Sequence, residues 1–227
     1  MNDEAFGAAV ATGAWLQRFK ADEFGLLNWS WLGETLERPE ALRRFLEEGL
    51  PRLAPIAFDA VFEPDYYREV HPEYAELSDE AAYRRWLFAD LEKGWPGSAE
   101  EHLRRLGLAL DRFPEGFAWR DYAAAENILE NRWFALQHLL DAGVPEVGFP
   151  AEGPEAAAFA TALGMAFRGR DDRSGSSSFE HARWRGDRSY LVTHQLADTR
   201  FRRGEWPKAV RLFGEAARCT SAAEVWT

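Results

Sequence analysis

The 227-residue sequence predicts an all-α protein of irregular helix-hairpin repeats, leading into a more regular α-hairpin array near its C-terminus. Three observations predict it. One nine-residue helical pattern occurs three times, an aromatic pair precedes each occurrence, and the last third spaces small and aromatic residues as paired helices do.

The nine-residue pattern runs Ala, apolar, two polar, apolar, Leu, two variable, then Gly or Asp. It occupies Ala41–Gly49, Ala82–Asp90 and Ala135–Gly143. Apolar residues at its positions 1, 2, 5 and 6 fall on one face of a helix. A closing Gly suits a left-handed C-cap, and Asp is a poorer substitute. Upstream, Phe24 precedes Trp29, Phe62 precedes Tyr67 and Phe117 precedes Tyr122, each by five residues. Each unit is therefore expected to join an aromatic-rich first element to an amphipathic second helix. The uneven spacing excludes a regular solenoid.

The middle unit is the most explicit. His71-Pro72 is expected to end its first helix, because proline pushes the preceding residue out of helical conformation. Ser78 can cap the second helix, with Asp79 and Glu80 favourable in its first turn. Gly94-Trp95-Pro96-Gly97 forms a turn. Ser98 and Glu101 have the spacing of a capping box for a helix carrying Leu103, Leu106, Leu108 and Leu110. Beyond Pro154 a small-residue helix is expected over Ala156 to Phe167. The run Arg168 to Ser178 has no apolar residue and reads as a mobile surface loop.

The last third resembles a tetratricopeptide repeat through Leu196, Ala197, Phe201, Gly204, Trp206, Ala209, Phe213 and Ala216. Small alanines would let two helices approach, Phe201 and Phe213 would fill the space between them, and Gly204 would turn the chain. Leu163-Gly164 lies 33 residues before Leu196-Ala197, near the roughly 34-residue period of that family. Ser221 and Glu224 could cap a further helix, yet the sequence stops at Thr227. That predicts either a piece of something longer or a frayed last segment. The resulting division is residues 1–150, an acidic domain with three aromatic units, and 151–227, tetratricopeptide-like repeats cut mid-period.

The middle unit also resembles a helical accessory module of bacterial cell-surface polysaccharide glycosyltransferases. The resemblance rests on Phe62, Asp65, Tyr66, Tyr67, Pro72, Trp86, Leu87, Gly94 and Pro96-Gly97-Ser98, and spans roughly residues 58–143. His71 stands where that module has Asn, and Asp90 where it has Gly. The third unit keeps Phe117, Tyr122, His138, Leu140 and Gly143. The resemblance implies an accessory role with no catalytic residue.

Charge is uneven. Residues 1–150 carry 15 Lys+Arg against 28 Asp+Glu, net −13; residues 151–227 carry 12 against 10, net +2. An acidic surface repels a phosphate backbone and anionic membranes, so nucleic acid is not an expected partner. No apolar run approaches the ~20 residues of a membrane-spanning helix. One cysteine, Cys219, excludes an internal disulfide and a thiolate zinc cluster. With an acidic N-terminus, Met1-Asn2-Asp3-Glu4, in place of a basic leader, the expected location is cytoplasmic.

Catalytic signals are missing. There is no phosphate-binding Gly loop, no His-Glu-x-x-His and no Gly-x-Ser-x-Gly, so no catalytic residue, metal site or cofactor is assigned. His71, His102, His138, His181 and His194 are scattered, and each suits a polar or capping role. Cys219 reads as a small buried thiol. Trp86 and Trp206 sit at core positions of their units. Trp15, Trp29 and Trp31 have no assignment, and an aromatic cluster could contact glycan. His194, Asp198 and Arg202, four residues apart on one helix, form a polar stripe suited to a partner-binding groove. The expected role is thus a non-catalytic interaction scaffold. It would hold a protein partner or an adjoining catalytic domain in bacterial surface-glycan or glycoprotein assembly. The alternative is a glycosyl- or sulfo-transfer enzyme with an unrecognised site.

Overall fold

A computed structural model describes Gly13, residues 15–145 and residues 148–223, with side chains to Cys219. The described residues are predominantly helical. They contain no β-strand, only isolated bridges at Ala57–Ala60 and Phe117–Ala151. The chain forms two compact units, Met1–His102 and Leu103–Thr227. The division read from composition, after residue 150, falls inside the second unit. There Phe117 pairs with Ala151, and its ring lies 5.1 Å from that of Phe159.

In the first unit the elements are short: α1 (Trp15–Arg18), α2 (Ala21–Leu27), α3 (Trp29–Leu32), α4 (Arg38–Arg44), α5 (Pro64–Val70) and α6 (Asp79–Arg85), followed by α7 (Ala99–Arg105), within which the division between the units falls. Helices of one or two turns are not stable alone and depend on tertiary burial. Here large rings supply it. The Phe45 ring lies 5.5 Å from Trp15, 5.7 Å from Phe19 and 5.8 Å from Phe24. A second focus joins Phe62 to Tyr67, Tyr83 and Trp86 at 5.2–5.3 Å. Trp15, which the sequence left unassigned, is fully buried. Asn28 makes the tight α2–α3 junction: its amide donates to the carbonyls of Phe24 and Pro55 at 2.9 and 3.0 Å.

The repeated pattern has an unexpected geometry. α4 and α6 each continue into a widened π turn, Phe45–Gly49 and Trp86–Asp90. The Leu50 and Leu91 amides donate five residues back, to Phe45 and Trp86. Residues five apart on an α-helix point about 140° away from each other. The π turn brings them onto one side, and Phe45, Leu50, Trp86 and Leu91 are all buried. Gly49 therefore sits inside a turn and does not cap a helix in left-handed conformation, which corrects the expectation. The third copy behaves differently. α9 (Arg132–Ala142) stays α-helical and stops at Gly143, whose φ of +89° lets the chain break before buried Val144.

Several local expectations are met. α5 ends before His71-Pro72, and Ser78 caps α6 by accepting from Ala81 at 3.3 Å. Ser98 accepts from the Glu101 amide at 3.3 Å, and Glu101 reaches back to the Gly97 amide at 3.0 Å. Gly97 is required there, because a Cβ would come within 2.5 Å of both the Trp86 ring and the Val61 carbonyl. Others are not. α7 ends at Arg105, since Gly107 turns the chain at φ +81°, so Leu108 and Leu110 lie beyond the helix.

The second unit continues with α8 (Trp119–Glu126), α9, α10 (Ala156–Phe167), α11 (Asp172–Trp184), α12 (Tyr190–Arg202) and α13 (Trp206–Ala223). Its last four helices are long, and successive ones pack together. Ala160, Phe179, Ala182, Val192, Leu196, Ala197 and Leu212 form one core cluster. At Gly164 a Cβ would meet the Phe179 ring at 2.7 Å, so glycine sets the approach of α10 and α11.

The serine-rich run is the largest correction. It is no mobile loop: α11 begins at Asp172, with Ser174, Gly175, Ser176 and Ser178 buried. Asp171 caps it, accepting from the Arg173 amide at 3.0 Å. The Ser174 hydroxyl accepts from the Val144 amide at 2.9 Å, and Ser178 donates to the Ser174 carbonyl at 2.8 Å. Small hydroxylated residues can be buried where they hydrogen-bond and let backbones approach. A reading by hydrophobicity misses this.

At the C-terminal end, Ala197, Ala209 and Ala216 are buried as expected, but Phe201 is 47% exposed and Trp206 54% exposed. Their rings lie edge to face at 4.6 Å on the surface and do not fill the helix interface. Cys219 is only partly buried. Ser221 lies within α13 and does not start a new helix. Met1–Glu4 and Glu224–Thr227 lie outside the described residues.

Candidate interaction surfaces

The polar stripe on α12 divides into two jobs. His194 is half-buried, its ring 5.2 Å from Tyr190 and 5.5 Å from Phe213 on α13. Asp198 pairs with the Nε of Arg202 at 3.2 Å, and Arg202 reaches Asp172 on α11 at 2.8 Å. The Asp172 hydrogen bond, ahead of the Asp198 charge, raises the Arg202 pKa. Asp198 and Arg202 thus belong to a brace between α11 and α12, while His194 belongs to the α12–α13 contact.

In the first unit, the two departures from the glycosyltransferase-module pattern lie in one cluster. Asp90 is buried in the second π turn. Its carboxylate accepts from the Tyr67 hydroxyl at 2.5 Å and pairs with Lys93 at 2.7 Å and Arg85 at 3.3 Å. Burial pushes this carboxyl up, but the hydrogen bonds from Lys93 and Tyr67 and the charge of Arg85 together hold it below its ordinary value. Burial, then Asp90, raises the Tyr67 phenol. His71 packs its ring 4.8 Å from Tyr67 and 4.4 Å from Trp95. Its Nδ1 lies 3.3 Å from Glu73, and its buried Nε2 has no hydrogen-bond partner. An ionised carboxylate with three partners already in place is arranged to hold structure rather than to exchange protons with a substrate.

The other histidines are also engaged. His102 Nδ1 is 2.9 Å from the Tyr66 hydroxyl, and His138 Nδ1 is 2.9 Å from the Tyr122 hydroxyl. Burial pushes the Tyr122 phenol up to about 12. His181 stacks on Phe149 at 4.1 Å; burial, then the Arg185 charge, lowers its pKa. Among the described residues, no group of three His, Cys, Asp or Glu could hold a metal ion, and no helix is long and apolar enough to cross a membrane.

Among the described residues are three open grooves, one of them, of about 430 Å³, lined by Asp121, Tyr122, Phe149 and Arg185 in the second unit. In the first unit, a groove of about 510 Å³ runs between α2, α3 and the start of α4. Lys20, Asp22 and Arg38 edge it, and Leu26 and Trp29 stand in it at 67% and 50% exposure. In the second unit, a cleft of about 390 Å³ lies between α11, α12 and α13. Arg183, Arg188, Arg200, Lys208 and Arg211 line it, and the most exposed tryptophan of the described chain, Trp184, stands at its rim. Neither surface is marked by a motif. The net +2 of residues 151–227 was the one trace of the cleft in the sequence. Compared with known proteins, the chain matches no family model, no curated protein and no solved structure.

Proposed function

We propose that the chain is a non-catalytic helical interaction module that holds a partner protein, or a catalytic domain joined to it, in bacterial cell-surface glycan or glycoprotein assembly. The observation that carries the interaction reading is the first-unit groove. Leu26 and Trp29 are large apolar side chains held on neighbouring short helices and left open to solvent. Exposed apolar side chains grouped in a groove mark a docking surface more often than isolated ones do. The consumption of Asp90, Tyr67 and the histidines in internal contacts fits the same reading.

Two features support the repeat component. The helix pairs α10–α11 and α12–α13 start 34 residues apart at both members. Gly164 and Ala197, the small residues 33 positions apart, are both buried. The glycan-assembly component rests on the residue resemblance over about 58–143.

A glycosyltransferase that co-purifies with the wild-type protein and is lost with Trp29→Glu is the expected result. A nucleotide sugar or a sulfo-donor nucleotide that raises the melting temperature of the isolated chain overturns it in favour of a transfer enzyme. Titration with neutral oligosaccharides, read by tryptophan fluorescence, is expected to give a flat response.

A further inference from the structure

We infer that the cationic cleft between α11, α12 and α13 binds a short acidic peptide segment of a partner protein. This rests on the interaction-module reading, but on a different surface from the Trp29 groove.

Charge within the cleft is unbalanced. Five cations line it, Arg183, Arg188, Arg200, Lys208 and Arg211. Three carboxylates serve them. Glu205 is shared by Arg200 at 2.9 Å and Lys208 at 2.7 Å. Glu215 is shared by Arg183 at 2.5 Å and Arg211 at 3.8 Å. Glu180 pairs with Arg200. Arg188 forms no ion pair among the described residues. Partly exposed pairs of this kind contribute only about 0–1 kcal/mol each, so they can exchange partners at small cost. Arginine forks bind incoming carboxylates with two parallel hydrogen bonds.

The cleft is not purely electrostatic. Leu196 and Leu212, both buried, lie at its floor, and the apolar surface open to a ligand is that of Trp184, 73% exposed with Arg185 4.8 Å over its ring. Such a site takes an apolar side chain between carboxylates, which a peptide offers and an inorganic anion does not. It is also distinct from the stripe read in the sequence: two residues of α-helix, from His194 to Leu196, turn through about 200°.

The second unit, residues 103–227, holds 17 Lys+Arg and 17 Asp+Glu, so the surplus of cations at the cleft is local and suits a short acidic segment.

The test is fluorescence anisotropy of the full chain with a fluorescein-labelled peptide in which a Leu-Phe pair is flanked by glutamates. Saturable binding is expected, weakened about tenfold by either Arg188→Glu or Lys208→Glu and by added salt. Trp184→Ala should weaken it too, and Arg188→Lys should retain most of it. Unchanged urea midpoints would show that the variants stay folded. No binding to wild type, equal binding to the charge-reversed variants, or tighter competition by inorganic phosphate or polyphosphate than by unlabelled peptide overturns the proposal. If the peptide fails while Trp29-dependent capture of a glycosyltransferase persists, the cleft assignment alone is wrong. If both fail, the module reading falls with it.

Discussion

The two units reach buried helices by opposite means. In the first, helices of four to seven residues are held by rings: Phe45 packs against Trp15, Phe19, Phe24 and Tyr83, and Phe62 against Tyr67, Tyr83 and Trp86. In the second, rings around Phe117 serve the shorter α8 and α9, but the last four helices, of 12 to 18 residues, come together over Ala160, Gly164, Ala182, Ala197 and Ser178. A large ring reaches across a wide gap and tolerates irregular backbone. A small residue permits close approach only where two long helices already run together. Short elements with aromatic staples and long elements with small contacts are therefore consistent pairings, and either mixed pairing would leave voids or clashes.

This contrast predicts different responses to substitution. The largest is expected for Trp86→Ala, at about 3–5 kcal/mol, because a fully buried ring is replaced by a cavity. Hydrogen exchange should show protection lost in residues 15–102 and kept by the Ala160 and Ala197 amides. Simultaneous loss in both units would break the comparison. Asp90→Ala should cost about 3 kcal/mol by leaving the buried Tyr67 hydroxyl unpaired. Asp90 has a depressed folded-state pKa, so its stabilisation is present above its unfolded-state pKa and is lost as pH falls through the folded value. The urea-midpoint difference between wild type and Asp90→Ala should thus be full at neutral pH and shrink below about pH 4.

In the second unit, Gly164→Ala should destabilise by about 2 kcal/mol through overpacking against Phe179, despite alanine's better helix propensity. A neutral or stabilising result in thermal melts would show that the α10–α11 approach is looser than the 2.7 Å contact implies. The smallest effect is expected for Asn131→Ala, about 1 kcal/mol. It removes the cap that accepts from the Trp133 and Phe134 amides at 2.9 and 3.1 Å. Asn131→Asp should restore most of the loss.

Local chemistry was legible in the sequence where one residue type has one job. Ser78, Ser98 with Glu101, and His71-Pro72 marked helix ends correctly because capping and proline act within a few residues. The helix Ala156–Phe167 was legible from its composition. Burial of hydroxyls was not: Ser174 finds its partner, Val144, thirty residues away. Nor were the π turns, since the same nine-residue pattern forms them twice and an ordinary helix once. All three copies bury the residue five positions after their central apolar side chain: Leu50 and Leu91 reach the core through a π turn, whereas Val144 reaches it after the chain breaks at Gly143. Trp206 and Phe201 were assigned to the core by spacing, yet they pack on one another at the surface. The stripe His194, Asp198 and Arg202 is polar by residue type alone. Its engagement with Asp172 and Phe213 depends on neighbouring helices that no spacing on α12 reveals.

The two π turns make chain length a free variable in the first unit. Deleting Glu47, or Ala89 in the second turn, would place the following leucine four positions after its ring partner instead of five. An ordinary α-helix could then present both to the core. At these two places the chain can shorten by one residue while its buried pairs keep their company, whereas a deletion inside α12 would rotate every later side chain off its face.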